Sequence, residues 1–232
     1  VYKRQISICI ISLFVTFVMI TGGIDIQAGS IVGLSSIVLG VAWQDGGMNI
    51  WAAVALAVVV AGVCGALSGY FVAYCGVQPM VVTLGGSFLF TGVALLVSNL
   101  SATESYKGIS GFPDSFLQLS KFKLFGVIPC QVIIFLVLAV IAYVLLNKTK
   151  YGRMVFLIGV NKDAAEFSGI NTRLITMTTY ILSGISAAIA GIILTSYIGT
   201  AKSDIGVTFT LPIITAVVLG GTLSTGGKGS VV

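Results

Sequence analysis

Apolar residues fill this chain in long blocks separated by short polar stretches. No charged residue occurs in 5–24, 26–44, 46–103, 124–147, 174–201 or 205–227. A helix rising 1.5 Å per residue needs about 20 apolar residues to cross a hydrocarbon core of about 30 Å. The block 46–103 is long enough for two crossings. Seven spans follow: 6–21, 28–43, 51–74, 80–98, 125–147, 174–198 and 206–223. The second is short, which implies either a thin crossing point or a partly re-entrant course. Gly22-Gly23, Asp45-Gly46-Gly47, Gly76 to Pro79 and Gly126 to Pro129 supply turn chemistry between spans. Strands of a membrane barrel would alternate over about ten residues instead. The pattern predicts an all-α, polytopic transmembrane helical bundle.

Composition narrows the function. Of 232 residues, 57% are hydrophobic and 8% charged, against about 25% charged in soluble domains. That excludes a soluble enzyme, a nucleic-acid binder and a disordered segment. The chain has no histidine, which removes His catalysis, His metal ligation and a His proton relay. Cys9, Cys64, Cys75 and Cys130 lie in or beside apolar runs without CxxC spacing, and read as small hydrophobes.

Both ends read as cut. Val1-Tyr2-Lys3-Arg4-Gln5 is expected to be a non-native leader, with 6–232 a single transmembrane domain truncated at both ends. The chain stops at Val231-Val232, after a Gly-rich turn.

Net charge is +5, and five of the twelve basic residues fall in 148–173. Placing that stretch inside puts Lys228 with it, against Lys107, Lys121, Lys123 and Lys202 outside. Six to four favours this orientation under the positive-inside rule. Counting Lys3 and Arg4 makes it six to six, so the dense cluster after the fifth span decides.

Small residues recur at helical spacing: Gly29 and Gly33, Gly65 and Gly69, Gly62 and Ala66, Gly184 and Ala188, Ala187 and Gly191. In lipid, such residues let helix backbones approach closely.

Three places could carry chemistry. Asp25 is an acid at or near membrane depth, costly unless paired or hydrated. It either caps the next helix start together with Ser30 or takes part in gating or substrate contact. The tail from Gly220 to Ser230 invites a phosphate-loop reading, which fails: Thr222 stands where the first glycine is needed, and Gly229 follows Lys228. A tight turn is expected there. Within 148–173, residues 163–170 read as a short helix ended by Gly169, too short to be stable alone. It is either an ordinary solvated loop or a stub that docks in a partner's groove.

The motifs Gly22-Gly23-Ile24-Asp25-Ile26, Gly29-Ser30 and Val82-Thr83-Leu84-Gly85 recur in a known family. So do Gly152-Arg153, the run Gly159, Asn161, Ala164, Ala165, Ser168, Gly169, Ile170, and Val218-Leu219-Gly220-Gly221-Thr222 with Gly226-Gly227. Together they resemble the permease subunits of sugar-type ABC importers, the ribose, galactose and autoinducer-2 branch. Tyr106 to Pro113, Phe156 to Gly159, Ser196 to Gly206 and Leu211 to Gly221 are similar to the D-type permeases of autoinducer-2 importers. The resemblance implies a BtuC-like bundle of about ten spans, of which this fragment holds about seven. It implies a multi-pass protein of the bacterial inner membrane, with 148–173 cytoplasmic and Gly159, Asn161, Ala164, Ala165, Ser168, Gly169 and Ile170 coupling to an ATPase. Expected partners are a C-type permease forming a heterodimer, two ATPase subunits, a periplasmic binding protein docking near 101–123 and 202–204, and membrane lipid, but no nucleic acid. The resemblance further implies that the chain itself is no enzyme and binds no cofactor, with ATP and Mg used by the partner subunits. Autoinducer-2 is the expected cargo, with ribose or another monosaccharide, or an ion-coupled secondary transporter, as alternatives; a membrane scaffold is a third. An uncharged polar cargo needs hydroxyl partners, for which Thr83, Ser87, Thr91, Thr195, Ser196 and Thr215 are candidates, although such groups also serve as helix-to-helix hydrogen bonds.

Overall fold

The computed structural model describes residues 2–101, 108–124 and 128–230, in ten helices and four two-residue strands. Tyr106 and Lys107 of the outer-loop motif, the 125 start of the fifth span, and Val231-Val232 lie outside the described residues. The helices are α1 (Tyr2–Ile20), α2 (Ala28–Gln44), α3 (Ile50–Ala73), α4 (Pro79–Leu100), α5 (Asp114–Lys121), α6 (Cys130–Asn147), α7 (Lys150–Val160), α8 (Lys162–Phe167), α9 (Thr172–Ile198) and α10 (Thr210–Leu219). Four of them, α3, α4, α6 and α9, are long and apolar enough to cross a membrane; α1, α2 and α10 are shorter apolar helices. Residues 2–5 continue the first helix. The Arg4 guanidinium donates to Thr208 Oγ1 at 2.7 Å.

Helix α9 is the axis of the bundle, packed on α1, α2 and α3. Its tightest neighbour is α3, because glycines strip both facing surfaces. A Cβ on Gly65 would overlap the Tyr180 carbonyl, and one on Gly184 would sit 2.5 Å from that of Ala61. Gly69 faces Met177 in the same seam. The outward faces of α3, α4 and α6 carry exposed Leu, Val and Phe side chains, Phe88 and Leu96 among them, as hydrocarbon contact requires.

Two of the crossings are broken. Before α2, the chain turns at Gly22 (φ +81°) and runs non-helically through residues 23–26, with Gly23, Asp25 and Gln27 buried. Part of the second crossing is therefore irregular backbone, which explains its short apolar helix. The last span departs from expectation: 206–223 is not one helix. Residues 203–209 form a run of turns, and α10 holds only 10 residues, about 15 Å, half a hydrocarbon core. Pro212 has no N–H and fits only the first turn of a helix, which fixes the start near Thr210. The turn segment lies along the glycine face of α2. Gly29 meets Gly206 and Thr210, Gly33 meets the Ser203 carbonyl, and Gly40 meets Ala201. Irregular backbone at membrane depth is tolerated where protein buries it, and that groove does so.

Two small structures close the ends. At one end, β1 (Ile109–Ser110) pairs antiparallel with β4 (Thr200–Ala201), and α5 buries Phe116. Phe112 stacks on Trp43 with ring centroids 4.9 Å apart, and Ser196 donates to the Phe116 carbonyl at 2.8 Å. The other short pair is β2 (Lys123–Leu124) with β3 (Ile128–Pro129). At the opposite end, 148–173 is not a loop with one stub. It holds two helices, α7 and α8. Gly152 lets α7 fold back against the Leu146 carbonyl, and Val155 and Ile158 are buried.

Candidate functional site

The α8 end gathers most of the residues singled out in 148–173. Asn161 caps α8, its side chain accepting from the Ala164 N–H at 2.9 Å. Ser168 donates to the Ala164 carbonyl at 2.8 Å. Gly169, at φ +81°, ends the helix as a left-handed C-terminal residue, and the Ile170 N–H then bonds the Ala165 carbonyl. Ala164 is exposed, but Ala165 is only 4% exposed and faces the protein. The residue that dominates the stub's surface is Phe167, 94% exposed, at a cleft shared with Asp163 and Glu166. The sequence groups Phe167 with Ala164, Ala165 and Ser168 as a mildly apolar surface of this helix, and of these four Phe167 is the large side chain left exposed. Its signal was a large apolar side chain in an otherwise small and polar stub.

Gly159 does not belong to that surface. It points inward, where a Cβ would overlap the Ile20 carbonyl at the end of α1. The same carbonyl accepts from the Gly227 N–H at 2.9 Å. The Gly-rich tail is a tight turn, with Leu223 N–H bonded to the Lys228 carbonyl and Gly226 N–H to that of Leu223. So α1, α7 and the tail meet at one backbone junction, two residues before Gly22.

Beyond that junction the broken segment carries the buried polar cluster. Asp25 is 1% exposed. Its Oδ1 accepts from the Gln27 N–H at 3.1 Å and its Oδ2 from the Ser183 hydroxyl at 2.5 Å. Gln27 Oε1 accepts from Ser68 at 2.6 Å, and Thr83 donates to the Ile24 carbonyl at 2.9 Å. Asp25 thus ties the break before α2 to α9, while Gln27 and Ile24 tie it to α3 and α4. Ser30 does not join Asp25; its hydroxyl lies 3.0 Å from that of Thr91.

The remaining hydroxyl candidates scatter. Ser87 donates to the Leu84 carbonyl within α4. Thr195 pairs with Ser36 across α2 and α9 at 2.7 Å. Ser196 holds the α5 cap, and Thr215 is exposed on α10. The structure does not gather these six hydroxyls into one path. Among the described residues, no three of His, Cys, Asp or Glu come together to hold a metal ion.

Apolar crossing helices, two buried breaks and a short exposed helix at one end define a multi-pass helical membrane protein. Residues 4–232 match the family described as branched-chain amino acid transport system / permease component, and the chain belongs to it. It is 42% identical to the autoinducer 2 import system permease protein LsrD of Yersinia enterocolitica over 226 residues, 97% of this chain and 68% of that protein. The LsrD of Yersinia pseudotuberculosis is also 42% identical, over 97% of this chain and 67% of its own length. That of Photorhabdus luminescens is 41% identical over 227 residues, 98% of this chain and 68% of its own. The likeness inferred from the motifs is therefore upheld at the level of the permease family. No solved structure matches the chain.

Proposed function

We propose that this chain is the transmembrane permease subunit of an ATP-binding cassette importer that carries autoinducer-2 across the bacterial inner membrane. The observation that carries the importer reading is the α8 stub, capped at both ends and presenting Phe167 to solvent. A six-residue helix cannot hold itself in water, and an exposed Phe at its tip suits a groove on a partner. The partner is an ATPase subunit on the cytoplasmic side, where ATP and Mg²⁺ act; this chain binds neither. A C-type permease completes the membrane unit. A periplasmic receptor docks at the opposite end, where pairing of β1 with β4 joins the two segments expected to receive it.

Transmission follows the backbone. Movement of the stub shifts α7, and Gly159 carries the shift to Ile20. The 21–27 segment follows, and with it the start of α2, as one access state gives way to the other. Cargo identity rests on the LsrD relatives; ribose or another monosaccharide is the second reading, since the candidate hydroxyls do not form a path that would distinguish one uncharged polar molecule from another. Buried helix breaks also occur in ion-coupled transporters, so energy dependence must be measured. Cells lacking their own importer should receive the full-length protein and its partner subunits. Uptake of autoinducer-2 that requires ATP and is not competed by ribose is the expected result. Competition by ribose would replace the cargo, and uptake driven by an ion gradient would replace the class.

A further inference from the structure

A cleft of about 240 Å³ opens at the α8 end. Its walls come from four places. Thr21 and Gly23 lead into the break before α2, and Gln78 and Pro79 lie in the turn from α3 to α4. Ile158 and Lys162 flank the α7–α8 joint, and Thr176 and Tyr180 belong to α9. These are the elements that transmission from the stub would move.

The base of the cleft holds an unsatisfied group. Tyr180 is fully buried, and its hydroxyl has no hydrogen-bond partner. It lies against Gly23, where a Cβ would come within 2.5 Å of the hydroxyl oxygen. Leaving a buried hydroxyl unpaired is unfavourable, and a phenylalanine would fill the same space without that cost. Thr21 and Thr176 add hydroxyls, Gln78 an amide, and Ile158 an apolar wall. The charge pattern selects the ligand. The Asp25 carboxylate is near enough to Tyr180 to act on it electrostatically, which opposes an anion there. Lys162 at the cleft opposes a cation. The volume is below the usual range for drug-sized ligands, about 300–1,000 Å³, and suits a monosaccharide-sized solute.

We propose that this cleft binds a small uncharged polyhydroxylated molecule, of the class the importer carries, on the stub's side of the membrane. Its occupancy ties the α7–α8 joint to the α3–α4 turn and to the hinge at Gly23, and so slows further import. This rests on the importer reading given above.

The test uses the full-length protein in nanodiscs with its permease and ATPase partners and no receptor. Binding of autoinducer-2 and of ribose is measured by calorimetry. Saturable binding is expected, weakened roughly five- to tenfold by Tyr180→Phe through loss of one hydrogen bond, and weakened also by Thr176→Val. Tyr180→Phe should melt no lower than wild type, since the lost hydroxyl has no partner. In a second assay with the receptor added, ATP hydrolysis should fall as the ligand binds, and Tyr180→Phe should relieve that inhibition. No binding of either probe, or binding unchanged in both variants, overturns the site. Slower uptake by Tyr180→Phe in cells, without relief of inhibition, overturns the regulatory role. Uptake by the wild type in cells reports separately on the importer reading.

Discussion

Gly159 and the Ile20 carbonyl are packed so closely that no methyl group fits between them. The contact joins the last turn of α7 to the last residue of α1, and the Gly227 N–H bonds the same oxygen. A residue expected to face an ATPase instead faces its own chain. In the proposed coupling, this joint is where movement of the stub passes into the bundle.

Gly159→Ala should separate docking from transport. The added carbon meets backbone rather than a movable side chain, and overpacking of this kind costs about 1–3 kcal/mol. The stub's outer surface is untouched. Co-purification of the ATPase should persist, while uptake per ATP hydrolysed falls about tenfold, a change worth about 1.4 kcal/mol. Equal losses of docking and uptake would place Gly159 on the partner surface after all.

Phe167→Ala should do the reverse. The side chain is almost wholly exposed, so its removal should leave the melting temperature of the isolated permease unchanged. Aromatic anchors buried at interfaces typically contribute about 2 kcal/mol or more. ATPase affinity should drop about 30-fold on that scale, as read by titration of the purified ATPase onto the permease in nanodiscs.

Much of this arrangement was legible in the sequence, because its causes are local. Charge-free blocks located the apolar helices except for the broken last span, and Gly65, Gly69 and Gly184 marked faces for close packing, which the structure joins as the seam between α3 and α9. Gly169 ended the stub where a left-handed residue was required. Other features depended on contacts distant in sequence. Whether Ala164 or Ala165 faces solvent follows from how α8 lies on α9, and the sequence cannot set that angle. The break at 203–209 arises because α2 offers a glycine groove, although Pro212 was a local signal for it. Helix α7 was hidden because Lys150 and Arg153 at its start, with Lys148 before it and Lys162 after it, marked the segment as a loop, although Val155 and Ile158 between them are apolar.

Asp25 can be dissected by two substitutions. Asp25→Ala leaves the Ser183 hydroxyl and the Gln27 N–H unpaired in a buried site, at about 1–3 kcal/mol for each such group. Asp25→Asn keeps an oxygen acceptor in the same place. Thermal unfolding in detergent should rank wild type and Asn close together and Ala well below. An Asn variant that unfolds as early as Ala would show that the charge itself holds the break.

Gly206→Ala tests the groove that houses the second break. Its Cβ would overlap the Gly29 carbonyl and press on Val32, so the turn segment must lift from α2. The expected cost is again about 1–3 kcal/mol, visible as faster proteolysis near 203–209 while membrane insertion is unchanged. Unaltered proteolysis would mean that the segment does not sit in the groove.

Thr195 separates the two roles open to hydroxyls in this bundle. Its side chain bonds Ser36 across α2 and α9 and also its own Gly191 carbonyl, and both partners of the cross-helix pair are buried. A residue that contacts cargo would lower uptake when its hydroxyl is removed, with stability intact. A residue that joins helices would lower stability, by about 0.6 kcal/mol on average for such bonds in membranes, with uptake intact. The geometry favours the second outcome for Thr195→Val, because Ser36 already occupies the direction in which the hydroxyl could meet a solute. A double-mutant cycle with Ser36→Ala should then return a coupling of that size in unfolding. Uptake kinetics of all three variants, measured beside it, should match wild type; a raised KM with no coupling would make Thr195 part of the path.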